Sequence, residues 1–179
     1  MQRIPKIKEP EIPEESAALL KRAEEKYGKC PNLFTTLAHS AAALRSVLEL
    51  SDSLERSHLT ELEREAVQLY ISEKSESVYC LAAHTERARN LGAKTSQTLM
   101  WRAGYDANGR MQALLDLGKL LAEKHGRITD HEFEQARAAG LSYGEILDTA
   151  ACVIDALATN LLNGLCLTDV DFPPPPAMT

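Results

Sequence analysis

The chain has 179 residues, 44% of them hydrophobic, so it is long and apolar enough to form one domain with a sizeable core. Its formal net charge of -6 argues against a nucleic-acid partner, because phosphate binding needs a basic surface. No segment approaches the ~20 consecutive apolar residues of a membrane-spanning helix, and the N-terminal residues lack the apolar run of a secretory signal. We therefore expect a cytoplasmic protein that contacts neither nucleic acid nor membrane.

Apolar residues recur at helical spacing along the chain and nothing is typical of a strand, so the fold class is predicted to be all-α. Residues 1–13 hold three prolines and are expected to form an extended N-terminal arm before a helical domain at residues 14–167. Four prolines exclude a helix from the tail at residues 168–179. Within the domain, we predict helices at 14–27, 31–39, 41–54, 60–71, 77–91, 95–102, 106–124, 129–139 and 142–165.

Short-range signals indicate where several of these helices begin and end. Thr60 and Glu63 have the spacing of a capping box, in which each side chain binds the backbone of the other residue. Thr129 and Ser142 are typical N-cap residues, and Gly28 is a typical residue for ending a helix. A polar break is expected at residues 72–76.

The four cysteines, Cys30, Cys80, Cys152 and Cys166, are widely and irregularly spaced, and no two form a C-x-x-C pair. In a reducing compartment this spacing does not predict a disulfide framework. Cys152 falls within an apolar helix and is expected to pack as a small buried residue, whereas Cys30 and Cys166 flank turns. Cys80 is different, because a histidine follows it by one helical turn.

Cys80 and His84 are four residues apart on the predicted helix 77–91, a spacing at which two side chains can meet. With Ser77 as N-cap, Cys80 lies in the first turn, where free backbone N–H groups and the helix dipole stabilise a thiolate. Glu65 lies at the edge of the apolar stripe of the preceding helix, and antiparallel packing can bring it near Cys80. On spacing alone, the same pattern fits a buried cysteine, a hydrogen-bonded core histidine and a solvated glutamate.

Three segments carry a resemblance to a known family. The run REAVQLYISEKSESVYCLAAH contains a glutamate, a cysteine and a histidine, at Glu65, Cys80 and His84. The segments GKCPNLFTTLAHSAAALRSVLEL and TNLLNGLCLTDVDFP extend the likeness from Gly28 to Pro173. Together they resemble the AhpD-like alkylhydroperoxidases, the peroxidase-related branch of the carboxymuconolactone decarboxylase superfamily. The resemblance implies an AhpD-like orthogonal helical bundle.

The family motif is a glutamate followed by C-x-x-C-x-x-x-H, in which the second cysteine attacks a peroxide and the first resolves the sulfenic acid as a disulfide. The resemblance therefore assigns Cys80 as the nucleophile, His84 as the group that orients or deprotonates it, and Glu65 as the holder of the proton relay. Ser77 occupies the position of the first cysteine and cannot form that disulfide, but it is expected to donate a hydrogen bond to Cys80. Either an external thiol resolves Cys80, or Ser77 was introduced to trap or stabilise the protein; Cys30 or Cys166 is a further candidate for the resolving thiol. Gly164 is a second departure, because the closing segment of the family often has a histidine there.

The leading hypothesis is therefore a thiol-dependent, peroxidase-like oxidoreductase with an antioxidant role, which reduces small hydroperoxides and is recycled by an external thiol or dithiol. One alternative is a cofactor-free decarboxylase or isomerase that uses His84 and Glu65 as acid and base. Another is a non-catalytic helical oligomer with a decayed site. The resemblance also implies a homo-oligomer, as a dimer, trimer or hexamer. No metal is expected, because zinc sites usually add a second Cys or His pair, and no cofactor is predicted.

Overall fold

The structure is a computed structural model that describes residues 2–178. Within this range the regular structure consists of nine α-helices and a short 3₁₀ turn at Glu9–Glu11, without a strand, which confirms the all-α prediction. The helices are α1 (Glu14–Tyr27), α2 (Asn32–Leu37), α3 (Ala41–Leu54), α4 (Glu61–Lys74), α5 (Val78–Asn90), α6 (Thr95–Arg102), α7 (Gly109–Lys124), α8 (Asp130–Ala138) and α9 (Tyr143–Cys166).

Most helix ends lie within two residues of their predicted positions because the capping signals operate as expected. At the start of α4, the backbone N–H of Glu63 donates to the hydroxyl of Thr60, and the N–H of Thr60 donates to the carboxylate of Glu63 at 2.8 Å. Thr129 and Ser142 cap α8 and α9 in the same way. Gly28 ends α1 in the left-handed conformation (φ 70°), which glycine adopts without strain.

Two predicted boundaries are wrong, and in both cases a polar side chain explains the difference. The helix predicted from Asp106 begins instead at Gly109, because the side chain of Asn108 accepts the N–H of Arg110 and so caps the helix there. The polar break predicted at 72–76 is shorter, because α4 continues to Lys74. Ser72 is fully buried in this last turn, and its hydroxyl donates to an α9 side chain.

Helix α4 lies at the centre of the domain and packs against α5, α6, α7 and α9. One apolar cluster surrounds α4 on the side of α6 and α7 and includes Leu69, Trp101 and Leu114. A second cluster joins the N-terminal helices α1–α3 to the first turn of α5, where Tyr79 and Cys80 are buried. The predicted thiol site therefore lies at the edge between the two clusters.

Both ends of the chain pack against the helical region that they flank. In the N-terminal arm, Ile7 is buried and its N–H donates to the carbonyl of Thr35, while the N–H of Arg3 donates to the carbonyl of Cys166 at 2.9 Å. This second contact satisfies a carbonyl at the end of α9 that has no partner within its own helix. The arm and tail are thus held by their own chain. Wrapping of a neighbouring subunit by either end stays a prediction.

The longest helix, α9, is apolar on the side that faces away from the fold. Leu147, Ile154 and Leu161, which we call the outer face of α9, recur every seven residues and are 69%, 58% and 73% exposed. By length and hydropathy α9 is the one helix of the described chain that meets the criteria of a bilayer span, although 44% of its most apolar window is buried within the fold. Because buried core helices also meet these criteria, this is weak evidence for a membrane contact.

Candidate active site

A cavity of about 190 Å³ opens between α1–α3 on one side and α5 and α9 on the other. Helix α5 contributes Cys80 and His84 to its wall, so the structure brings these two predicted site residues to one place. Four aromatic rings form much of the remaining lining: Tyr27, Phe34, Tyr79 and Phe172. The cavity is therefore largely apolar, with a few polar groups gathered on the α5–α9 side.

Cys80 lies in the first turn of α5, as predicted, and is 3% exposed. Its sulfur accepts a hydrogen bond from Nδ2 of Asn163 at 3.2 Å. The hydroxyls of Ser77 and Thr159 also help to lower the pKa of the thiol, although the Thr159 hydroxyl donates its hydrogen bond to the backbone carbonyl of Asp155 at 2.9 Å. Burial raises the pKa of the Cys80 thiol, and the three polar neighbours offset only part of this rise. The thiol is therefore protonated at rest and must lose its proton during any reaction.

Ser77 occupies the N-cap position of α5, but its side chain makes no capping hydrogen bond to the backbone. Its hydroxyl helps to lower the pKa of the Cys80 thiol. Among the described residues it makes no hydrogen bond to the sulfur that meets distance and angle criteria, so the predicted hydrogen bond stays a prediction, whereas the predicted side-chain cap is absent. The carbonyl of Ser77 still accepts the N–H of Leu81 at 2.9 Å, which closes the first turn of the helix.

Glu65 and His84 form a buried pair between α4 and α5. The Glu65 carboxylate and Nδ1 of the imidazole are 2.7 Å apart, and Nε of Arg87 lies 3.3 Å from the other carboxylate oxygen. Burial opposes ionisation of Glu65, but Arg87 and His84 outweigh it and lower the pKa of this carboxyl. An ionised Glu65 fixes the orientation of the imidazole and leaves Nε2 as the ring nitrogen available to a water or a substrate.

Cys80 and His84 do not meet directly, although their spacing predicts that they can. Among the described residues no hydrogen bond joins the Cys80 sulfur to the imidazole; the group that donates to the sulfur is Asn163. The helical register brings both side chains to the same cavity wall, but Asn163 from α9 occupies a position beside the sulfur. A proton that passes from Cys80 to His84 therefore has to travel through a water or through the bound substrate.

Helix α9 also contributes to the site, which the sequence patterns did not predict. Asp155, Thr159 and Asn163, which we call the inner face of α9, are spaced by four residues and all line the cavity. Asp155 is 5% exposed, and its Oδ2 accepts a hydrogen bond from Nε2 of Gln68 at 2.7 Å. The signal that could have indicated this contribution is the helical spacing of these three polar residues within an otherwise apolar helix. The closing N-x-x-N pattern includes Asn163, but the pattern alone gives it no role.

The C-terminal tail covers part of the cavity, which no sequence pattern indicates. The hydroxyl of Tyr79 donates to Oδ1 of Asp171 at 2.8 Å and accepts the N–H of Leu33 at 3.1 Å. Burial raises the pKa of Tyr79, and Asp171 adds to the rise. Phe172 then stands edge-on to the Tyr79 ring, with the ring centroids 5.4 Å apart. The tail is non-helical, as its prolines require, and its aromatic residue forms one cavity wall.

The other cysteines lie outside this arrangement. All four cysteines of the described chain are free thiols. Cys152 is fully buried and its sulfur lies 3.7 Å from the carbonyl of Arg64, so it packs in the core as predicted, and burial raises the pKa of its thiol. Gly164 is exposed and does not line the cavity. Within residues 2–178, no three His, Cys, Asp or Glu side chains form a group that would hold a metal ion.

No protein-family model matches the sequence, and no curated protein matches it. Solved structures do match. One is the alkylhydroperoxidase AhpD core of an uncharacterized peroxidase-related protein from Ralstonia eutropha JMP134, with a TM-score of 0.83 and 23% identity over 95% of this chain and 92% of that chain. Another is an uncharacterized peroxidase-related protein from Silicibacter sp. TM1040, with a TM-score of 0.80 and 22% identity over 93% and 89%.

A third similar structure is the debrominase Bmp8 in complex with 2,3,4-tribromopyrrole, with a TM-score of 0.76 and 13% identity over 94% of this chain and 91% of that chain. At these identities the likeness concerns the path of the backbone, and the chemistry has to be argued from the residues of this chain. The protein thus has the AhpD-like, all-α fold that its sequence pattern implied.

Proposed function

We propose that the protein is a thiol-dependent, peroxidase-like oxidoreductase that reduces small organic hydroperoxides through Cys80. The observation that carries the proposal is a buried thiol at the wall of an aromatic cavity, with a hydrogen-bond donor on its sulfur and the Glu65–His84 pair one helical turn away. A protected thiol with a nearby base is what peroxide reduction by cysteine requires.

The first step is proton transfer from the Cys80 thiol to Nε2 of His84 through a water or the hydroperoxide. Glu65 stabilises the imidazolium that results, because its carboxylate already binds Nδ1. The thiolate, held by the amide of Asn163, attacks the terminal oxygen of the hydroperoxide. The O–O bond breaks, the O–H group passes to sulfur as sulfenic acid, and the other oxygen leaves as an alkoxide that takes up a proton to become the alcohol.

Recycling requires two electrons from outside the chain. An external thiol attacks the Cys80 sulfenic acid, which releases water and forms a mixed disulfide, and a second thiol then frees Cys80. Because Ser77 has no sulfur, an intramolecular disulfide at that position is impossible. A thiol pool of this kind fits the cytoplasm, which we propose as the compartment.

The aromatic lining of the cavity favours a second candidate, the reductive removal of a halogen from a small aromatic ring. The debrominase Bmp8 shares the fold and was solved with 2,3,4-tribromopyrrole. In this reaction the Cys80 thiolate takes the halogen while the ring carbon takes a proton. An external thiol then displaces halide from the sulfur and forms a disulfide. Both candidates need Cys80, and they differ in the substrate that is consumed.

The outer face of α9 supports self-association, and we propose a second copy of this chain as its partner. Side chains of Leu147, Ile154 and Leu161 at seven-residue spacing form a seam that can pack against the same seam of another copy. Between residues 149 and 166 the helix carries one charged residue, Asp155, which is buried. This stretch, which includes Ile154 and Leu161, therefore adds no exposed charge to the proposed seam.

The proposed function is tested by single-turnover oxidation with cumene hydroperoxide, followed by dimedone trapping and mass spectrometry. We expect dimedone on Cys80 of the wild type and, with dithiothreitol as reductant, turnover that falls to the uncatalysed rate in Cys80→Ala. Cys30→Ser, which alters the least buried cysteine, should retain full turnover. Cumene hydroperoxide turnover that survives in Cys80→Ala would contradict the proposed function.

The role of Ser77 is tested in the same assay with Ser77→Cys. Ser77 is the N-cap residue of α5 and Cys80 follows it by three residues, and residues three apart in a helical turn are close enough for a disulfide. We expect hydroperoxide to produce a disulfide between Cys80 and the introduced thiol in this variant, and dimedone-reactive sulfenic acid in the wild type. Sulfenic acid that persists in both proteins would contradict the interpretation of Ser77 as the replaced resolving residue.

A further inference from the structure

The cavity contains a second buried carboxyl group that the mechanism above does not use. Asp155 lies on the inner face of α9, one turn before Thr159 and two turns before Asn163, the residue that binds the sulfur. It lines the same cavity as Cys80 and His84 and is 5% exposed. Oδ2 accepts the hydrogen bond from Gln68, whereas Oδ1 is buried and has no hydrogen-bond partner among the described residues.

Asp155 and Glu65 are both buried, but their surroundings act on them in opposite directions. Glu65 is paired with His84 and Arg87, which lower its pKa despite burial. Asp155 has no such cation in contact; burial raises its pKa, and the hydrogen bond from Gln68 and the more distant charges of His84 and Arg87 offset only part of the rise. Two carboxyl groups whose environments separate their pKa values in this way are suited to opposite roles, one as an anion and the other as an acid.

The charge on Cys80 depends on the protonation of Asp155. An ionised Asp155 would raise the pKa of Cys80, because two negative charges in one buried site oppose each other. A protonated Asp155 removes this repulsion, so the thiolate forms more readily while Asp155 keeps its proton. A protonated Asp155 would present an O–H at Oδ1, the oxygen that has no hydrogen-bond partner among the described residues, beside a Cys80 thiolate.

From this arrangement we propose that Asp155 is the acid that protonates the leaving oxygen when Cys80 reduces a hydroperoxide. The inference rests on the proposed function. As the thiolate attacks the terminal oxygen and the O–O bond breaks, the alkoxide takes the proton from Oδ1 of Asp155 and leaves as the alcohol. Negative charge thus moves from the sulfur to the carboxylate. The imidazolium of His84, which received the thiol proton, returns it to Asp155 through water, so the sum is thiol plus hydroperoxide giving sulfenic acid plus alcohol.

The alternative is that Asp155 serves only to hold Gln68 in place between α4 and α9. A structural role would affect every reaction of Cys80 equally. An acid affects only those reactions in which the leaving group needs a proton. Alkyl hydroperoxides release a strongly basic alkoxide and need the acid, whereas peracids release a carboxylate that is stable at neutral pH and do not.

The test compares the wild type with Asp155→Asn, which keeps the shape of the side chain and can still accept the hydrogen bond from Gln68. We expect oxidation of Cys80 by cumene hydroperoxide at pH 7 to slow by about 10²-fold or more, as is typical for the loss of an acid catalyst. Oxidation by perbenzoic acid should be unchanged. Alkylation of Cys80 by iodoacetamide should be unchanged or faster, because the substitution leaves no carboxylate beside the sulfur. Asp148→Asn, on the same helix but bound to His58, is the matched control and should behave as the wild type.

The outcomes separate this inference from the proposed function. A wild-type protein that does not react with cumene hydroperoxide would contradict the proposed function itself. A reactive wild type with an equally reactive Asp155→Asn variant, or equal slowing with both oxidants, would overturn the role of Asp155 alone. If the variant does not fold, as judged by circular dichroism, the test uses the wild type alone. The rate of Cys80 oxidation is then measured with a series of hydroperoxides and peracids whose leaving groups differ in basicity. A rate that depends weakly on the basicity of the leaving group supports an internal acid, and a steep dependence overturns it.

Discussion

The inner and outer faces of α9 both depart from the usual distribution of side chains in a globular protein. The inner face is polar, with Asp155 and Asn163 buried and Thr159 half-buried in the cavity wall, whereas the exposed outer face is apolar. Buried polar groups cost free energy unless they are hydrogen-bonded, and contiguous exposed apolar side chains are uncommon on monomers. The two faces therefore fit the two proposed roles of α9, which are contact with a substrate on the inner side and contact with a second copy of the chain on the outer side.

The largest effect expected from this comparison concerns Asn163 on the inner face. In Asn163→Leu the sulfur loses its donor, and a hydrogen bond to a charged group is worth about 1.5–3 kcal/mol, or roughly one to two pKa units of the thiol. We expect the rate of Cys80 alkylation by iodoacetamide to fall about 10- to 100-fold at pH 7. The rate–pH curve should move to higher pH, because the reactive thiolate forms only as pH approaches the raised pKa.

Asn160→Leu is the matched control for this prediction. Asn160 is also a buried amide on α9, but its Oδ1 accepts from the hydroxyl of Ser72 at 3.3 Å and it does not contact the sulfur. Its loss should lower the free energy of unfolding without changing the alkylation rate of Cys80. An equal fall in alkylation for both variants would show that the inner face supports the fold rather than the thiol.

A smaller effect is expected from the outer face, and it concerns assembly rather than chemistry. In the double variant Ile154→Glu/Leu161→Glu, a charge stands at two positions of the proposed seam in each copy. We expect self-association, measured by sedimentation equilibrium, to weaken at least about tenfold, because truncation or charging of central interface residues commonly costs about 2 kcal/mol or more. Tyr105→Glu, at an exposed aromatic position between α6 and α7, should leave assembly unchanged. A wild type that is monomeric at every concentration would contradict the proposed role of this face.

The smallest effect is expected at Gly164, next to the outer face. A Cβ at this helical position would meet no atom within 4 Å, so Gly164→Ala should raise the free energy of unfolding by about 0.5–1 kcal/mol through helix propensity. Gly118 in α7 is the matched glycine, because a Cβ there would lie 3.2 Å from the Val67 side chain. Gly118→Ala should therefore raise the free energy of unfolding by less than Gly164→Ala. Both are measured by urea unfolding in the Ile154→Glu/Leu161→Glu background, so that assembly does not contribute. An equal increase in the free energy of unfolding at both positions would mean that the Val67 side chain moves aside without cost.

The sequence predicted most helices because their ends depend on residues within one turn. The pair Thr60 and Glu63 fixes the start of α4 by contacts between neighbours in the chain, and such contacts can be read from spacing. The same local rules failed at α7, where both Asp106 and Asn108 are plausible caps. The carboxylate of Asp106 instead accepts the indole N–H of Trp101 at 2.5 Å, so Asn108 caps the helix.

The candidate site was only partly predictable, for a related reason. Glu65, Cys80 and His84 lie within one 20-residue stretch, and antiparallel packing of α4 and α5 follows from the short turn between them. The contacts made by Asn163 and Asp155 join residues more than 80 positions apart, and they depend on how α9 packs across both helices. Burial of the sulfur by that packing raises the pKa of Cys80, whereas the helix dipole considered alone predicts a lower one.

The position of Phe172 has a consequence for the order of events during synthesis. The cavity is built from residues as early as Tyr27 and as late as Phe172, so its last wall is translated well over a hundred residues after its first. Helices α1–α5 leave the ribosome first, but Cys80 gains the amide of Asn163 and the cover of Phe172 only when the end of α9 and the tail have emerged. During that interval the nascent chain presents a thiol that no finished cavity yet shields. If Cys80 has the proposed reactivity, oxidants can reach it in newly made molecules before the cavity is complete.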